Sequence, residues 1–160
     1  FEQYIEEIVT MVSRQAHSQL KDDSRVCRAM LSLVASEAMQ QVNDDVARRK
    51  IKSSVASDLL GFASSAVSNL TRDIQANNGV TTADQRKLLL SMGVDPEGVH
   101  LEVSAALNAF GTKRGSIAHK FKVKTSETRS SVLSETKQIL AGLIAFDAAA
   151  CLQLKEGMAK

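Results

Sequence analysis

The sequence predicts an all-α fold, an up-and-down bundle of about five to six helices. Three observations carry that expectation. A single proline in 160 residues, Pro96, leaves long stretches in which nothing bars a helix. Apolar residues recur at the i, i+3, i+4 spacing of an amphipathic helix, and no segment alternates with the period of two that a strand needs. Asparagine, aspartate and glycine cluster at a few points, where they divide the periodic segments into helices with short connections.

The first helix is expected over about residues 2–20, with Ile5, Ile8, Val9, Val12, Ala16 and Leu20 on one stripe. Asp22, Asp23 and Ser24 offer caps for a second helix reaching roughly Lys50. Its stripe is Cys27, Met30, Leu31, Val34, Ala38, Val42 and Val46. A third runs from about Ser53 to Gln75 and ends at Asn77-Asn78-Gly79, residues that tolerate a turn. Thr82 and Gln85 have the spacing of a capping box for a short fourth helix that stops at Gly93. Asp95-Pro96-Glu97 reads as cap, first-turn proline and dipole-matched acid for a fifth, which Gly111 is expected to interrupt. Thr125-Ser126-Glu127 opens a last helix to about Glu156. That helix is apolar on more than one face, so it should lie centrally or be covered in part by a second copy of the chain.

With 44% hydrophobic and 24% charged residues, the chain has the composition of one globular domain spanning 1–160. No run approaches the roughly 18 consecutive apolar residues of a membrane span. The start, Phe1-Glu2-Gln3-Tyr4, lacks the cationic opening of a signal peptide and an initiator methionine. The expectation is therefore a cytoplasmic domain, away from membranes, whose chain is trimmed or excised from a longer protein. Cys27 and Cys151 fall in apolar helical patterns and are expected to be reduced core residues.

Most catalytic templates are missing. There is no CxxC pair, HExxH, P-loop, dinucleotide-binding glycine loop or G-x-S-x-G elbow. His17, His100 and His119 are far apart and none has a metal-ligand neighbour one turn away, so neither a metal nor another cofactor is expected. His17 and His100 read as ordinary helix residues. Net charge is only +2, but its distribution is uneven. From Val103 to Ser126 there is no acid, while Lys113, Arg114, Lys120, Lys122 and Lys124 supply five positive charges. Such a window suits an anionic partner. A second basic run, Arg48-Arg49-Lys50 with Lys52, sits where the second helix should end, and there cations match the helix dipole.

The window contains Arg114-Gly115-Ser116-Ile117-Ala118-His119. This segment resembles the signature of the HEPN superfamily, an arginine followed after four to six residues by a histidine. It is closest to the branch reading roughly arginine–asparagine–x–isoleucine–alanine–histidine. The resemblance implies a helical bundle and a metal-independent endoribonuclease that works as a homodimer. His119 would move protons to and from the 2′-OH and the leaving oxygen, since imidazole titrates near neutrality. Arg114 would stabilise the phosphorane charge with its planar fork. Lys113, Lys120, Lys122 and Lys124 would hold the RNA backbone without reading bases. Five residues along a helix turn about 140° around its axis, so Arg114 and His119 do not share one stripe. A site drawing both pairs from two chains across a two-fold axis removes that difficulty.

Members of the superfamily often add a polar residue from an early helix, and Glu37, a lone acid among Val34, Ala35 and Ala38, is the candidate. Its other reading is an acid at the rim of the core stripe. The chain departs from the pattern at two points. Gly115 stands where active members usually carry a polar residue, and Phe121 stands where antitoxin-regulated toxins carry a modified tyrosine. The expected setting is a toxin or anti-phage defence effector with RNA, a second copy and an antitoxin or other regulator as partners. The alternative is a non-catalytic HEPN-like module for dimerisation or partner binding. The bland alternative is a solvated basic turn in which His119 caps a helix.

Overall fold

A computed structural model describes residues 1–120 and 128–155 of the chain; the side chains of Arg114 and of residues 116–120 lie outside that description. Among the described residues there are seven α-helices and no strand, an all-α helical bundle as the apolar spacing predicts. The helices are α1 (Glu2–Asp23), α2 (Arg28–Gln41), α3 (Asp45–Ser57), α4 (Leu59–Ala76), α5 (Thr82–Leu89), α6 (Pro96–Lys120) and α7 (Arg129–Lys155), with a 3-10 turn at Leu90–Met92.

The core forms around α1, which packs on α2, α4, α5 and α7. Ile5, Ile8, Val9, Val12 and Ala16 are all buried, the stripe that the sequence predicts. Ala16 meets a bundle that also buries Ala63 and Ala66 of α4, and small residues on both sides let helices approach closely. Helices α1 and α4 run antiparallel. Near one end His17 Nε2 pairs with Ser64 Oγ at 2.9 Å, and near the other Asn77 Nδ2 donates to Glu6 Oε1 at 2.6 Å.

The second predicted helix is two helices. The chain breaks at Val42–Asp44, where the Asp44 carboxylate accepts from the Ala47 amide at 2.7 Å and starts α3. The apolar stripe hid this break, because Val42 and Val46 keep the helical period although Val46 is 74% exposed. Met30, Leu33 and Glu37 face inward on α2, and Leu31 faces out. Asp58 then ends α3 and begins α4. Its amide donates to Ser54 O at 2.9 Å, and its carboxylate accepts from the Gly61 amide at 2.8 Å. Residues 53–57 thus belong to α3 rather than to the helix that follows.

The capping box of α5 is Thr81 with Asp84, one residue before the predicted Thr82 and Gln85. The Thr81 amide donates to Asp84 Oδ2 at 2.9 Å, and Gln85 turns into the core instead. Gly93, at φ 81°, ends the 3-10 turn in the left-handed region that favours glycine. Asp95 Oδ1 accepts from the Glu97 amide at 3.1 Å, consistent with its predicted capping role.

Gly111 does not interrupt α6. The helix continues to Lys120, and its irregular backbone lies earlier, at His100 (φ −159°, ψ 86°). Gly111 serves close approach: a Cβ there would lie 3.3 Å from Val80 Cγ2 and 3.4 Å from the Thr81 amide. Thr125-Ser126-Glu127 lies outside the described residues. Thr128 caps α7, its hydroxyl accepting from the Ser131 amide at 3.1 Å. Cys27 is buried as expected, but Cys151 is exposed on α7 and both are free thiols.

Helix α7 buries Ile139, Gly142, Leu143, Phe146 and Ala150 along one side. Leu133, Leu140, Ile144 and Leu152 follow a helical stripe on the other side and are exposed. By length and composition α7 could cross a membrane, but its inner face is part of the core. The crossing of α6 and α7 is set at Gly142, where a Cβ would overlap the side chain of Val103. Gly142→Ala should therefore lower the unfolding free energy by about 1–3 kcal/mol through overpacking. That cost outweighs the roughly 1 kcal/mol by which alanine favours a helix over glycine. Urea unfolding of the variant beside wild type checks this, and a gain in stability would show that the crossing yields easily.

Candidate functional site

Residues 113–120 of the basic segment singled out in the sequence lie in the C-terminal part of α6, and the rest lie outside the described residues. The segment's entry is fixed by contacts with three other parts of the chain. Asn108 Oδ1 accepts from the Thr82 amide at 2.9 Å, tying α6 to the start of α5. Phe110 meets Phe1 edge-on, with ring centroids 5.3 Å apart and planes at 72°. Gly111 then slides against Val80 and Thr81. One turn later Gly115 faces open space, with no atom within 4 Å of the position a Cβ would take.

Gly111 and Gly115 line one wall of a cleft of about 330 Å³. The opposite wall is the turn between α4 and α5, with Asn77, Asn78 and Gly79, and the first turns of α5, with Thr81, Asp84 and Lys87. Gly111 lets α6 pass close to the turn, and Gly115 leaves the space beside it open by carrying no side chain. Arg114 is adjacent in sequence to Gly115, on the same helical turn.

The window without acids in sequence has acids beside it in space. Lys113 Nζ reaches Glu135 Oε2 of α7 at 3.4 Å, and Asp84 lines the cleft. Lys87, on the cleft's wall, pairs with Asp73 at 3.1 Å. Lys113 therefore presents a partly compensated charge, and exposed pairs of this kind contribute little to stability. The backbone of Arg114, His119 and Lys120 is part of α6, while their side chains lie outside the described residues, as do Lys122, Lys124 and Phe121 altogether.

Glu37 lies elsewhere. It is 6% exposed on α2, in the seam with α4. Its Oε1 accepts from Asn69 Nδ2 at 2.6 Å and from Gln41 Nε2 in a short bond. Asn69 Oδ1 in turn accepts from the Arg72 guanidinium. Helix α2 packs on α1, α3, α4 and α7, whereas α6 packs on α5 and α7. The structure thus puts Gly115 on the cleft, turns Lys113 toward Glu135 of α7 and gives Glu37 its own polar network in a different seam.

His17 bridges α1 to α4 through Ser64, and His100 sits at the irregular turn of α6. No group of three or more His, Cys, Asp or Glu side chains that could hold a metal ion occurs among the described residues. Sequence reasoning did not find the cleft residues Asn77, Asn78, Asp84 and Lys87. Asn77-Asn78-Gly79 signals a turn, and nothing local says that the turn will face residues 111–115. Comparison of the chain with protein-family models, with curated proteins and with solved structures finds no match.

The geometry at Glu37 separates a packing role from a role in the cleft. Glu37→Leu removes the acceptor for two side-chain amides, one of them in a half-buried seam. It should cost about 1–3 kcal/mol of unfolding free energy. Thermal or urea denaturation checks this, and unchanged stability would mean that the network contributes nothing to packing.

Proposed function

We propose that this chain is a metal-independent endoribonuclease of the HEPN type, working as a homodimer with a composite Arg/His site. The observation that carries this reading is the placement of Arg114-Gly115-Ser116-Ile117-Ala118-His119. The segment ends α6 at the border of an open cleft instead of forming an isolated surface turn. In the proposed reaction the His119 imidazole takes the proton of a 2′-OH as the oxygen attacks the adjacent phosphorus. The bond to the 5′-oxygen breaks, that oxygen takes a proton, and a 2′,3′-cyclic phosphate remains. Arg114 balances the charge that builds on the non-bridging oxygens. Lys113, Lys120, Lys122 and Lys124 hold the strand through its phosphates.

Two features support a shared site. In α6 the five-residue spacing separates Arg114 from His119 by about 140°, which favours drawing the pair from two chains. The outer stripe of α7, with Ile144 63% exposed, gives a second copy an apolar face to cover, next to the helix that carries the motif. A role as a toxin or anti-phage defence effector, with a regulatory partner that silences it, follows from the same resemblance. The second reading is a non-catalytic HEPN-like module for dimerisation or partner binding. Gly115, which puts no polar side chain into the cleft, favours it.

His119→Ala tests the first reading. Cleavage of RNA in the presence of EDTA should fall by about 10²–10⁴-fold, with melting temperature and helicity near wild type. Analysis of the products should find 2′,3′-cyclic phosphate ends. A variant that unfolds assigns His119 a structural role. A wild type that cleaves no RNA, while Gly115→Asn gains cleavage, replaces the first reading with the second.

A further inference from the structure

The basic run at Arg48 needs an account other than the helix dipole. Helix α2 ends at Gln41, well before it. Arg48, Arg49, Lys50 and Lys52 occupy the first and middle turns of α3, and the last turn of that helix carries no cation. Four positive charges within about a turn and a half repel one another, and the dipole gives nothing back at that end. All four residues are exposed. Arg48 pairs with Asp45 at 3.2 Å, whereas Arg49, Lys50 and Lys52 have no carboxylate partner among the described residues.

The helix is also lightly held. Among the described residues its main packing is on α2 and α4, and Ile51 is the one side chain it buries. A groove of about 630 Å³ runs between it and α4, under the end of α2. Lys50 stands on one wall and half-buried Phe62 on the other, with Gln41, Asn43, Ser54 and Ser65 between. The acid in the groove, Asp58, already accepts the Gly61 amide.

We infer that α3 and this groove form a binding surface for single-stranded RNA. Three features point to that occupant. Unpaired cations along one helix complement a phosphate backbone. An aromatic face beside them offers a platform for an unstacked base, and neutral amides and hydroxyls can meet its edge. A membrane fits poorly, because the exposed side of α3 presents one large apolar residue, Val46, rather than an apolar face. A duplex fits poorly as well, since a ring in a groove cannot reach bases that remain stacked and paired. The groove is lined by the end of α2, by α3 and by the first turns of α4, and shares no lining residue with the cleft beside Gly115, so it is an anchor separate from the proposed cleavage segment. It extends the ribonuclease reading by naming where substrate is held, but it does not depend on cleavage.

The test is equilibrium binding of a fluorescent single-stranded oligoribonucleotide to the full chain carrying His119→Ala, so that the probe survives. Adding Arg49→Gln, Lys50→Gln and Lys52→Gln together should weaken binding at least 10-fold. The slope of log affinity against log salt should fall by roughly 2, at about 0.7 per lost phosphate contact on a single strand. Phe62→Leu should weaken binding roughly 5- to 150-fold and leave the salt slope unchanged. Melting curves establish that each variant is folded, and the triple variant touches only exposed side chains. Affinity unchanged in the triple variant overturns the inference. So does tight binding to phosphatidylserine vesicles without binding to the oligonucleotide, which assigns the cations to a membrane. Equal binding of duplex and single strand, with Phe62→Leu silent, overturns the groove's part. A wild-type chain that cleaves no RNA, with this binding intact, contradicts the nuclease reading alone.

Discussion

The buried amide of Gln85 holds the helix on which the proposed chemistry depends. The side chain is 1% exposed, and both its oxygen and its nitrogen are satisfied. Nε2 donates to Val80 O at 2.8 Å and to Ser104 O at 3.2 Å, while Oε1 accepts from Ser104 Oγ at 2.8 Å. One residue thereby joins α5, the turn before it and α6. Each such bond adds only about 1 kcal/mol net, but an orphaned buried partner costs more, which makes the arrangement specific. On the adjoining residue of α6, Val103 fills the space left by Gly142 of α7. Pinned on both sides, α6 carries its C-terminal turns past Val80 and Thr81 and opens the cleft at Gly115.

This latch shows what a sequence reading can and cannot reach. The stripe on α1 and the caps at Asp95-Pro96-Glu97 were legible because local periodicity and backbone chemistry determine them. The break at Val42–Asp44 was not, since Val42 and Val46 continue the apolar period and only the Asp44 cap reveals the new helix. Gly111 has the look of a helix stop, yet its purpose is to bring α6 against a turn about thirty residues earlier in the chain. Gln85 fits a capping pattern by spacing, but its core role depends on Ser104, which no local pattern connects to it. The candidate site divides in the same way. Arg114 and His119 are visible as a motif, whereas the cleft beside Gly115 is built from residues 77–87, brought there by the turn between α4 and α5.

Charge follows a similar logic. Two basic runs are evident in the sequence, but their surroundings are not. Lys113 meets Glu135 of α7, so its charge is partly compensated. On α3 the cations stand almost alone beside an aromatic groove. In the proposed account α3 holds the strand, α6 cuts it, and the apolar outer stripe of α7 brings two copies of α6 into one site. The three helices then differ in the physics they contribute. Under that proposal α3 would supply electrostatic capture, α6 proton transfer with charge stabilisation, and α7 the burial of exposed hydrocarbon.

The claim on which this account turns is that Arg114 and His119 act across two chains. Subunit mixing tests it most directly. Arg114→Ala and His119→Ala proteins are assayed for RNA cleavage in EDTA, each alone and again after being unfolded together and refolded. In a shared site, a mixed dimer carries the arginine of one chain and the histidine of the other, so the mixture should cleave although neither variant does. A mixture as inactive as its parts, beside a wild type that cleaves, contradicts the account.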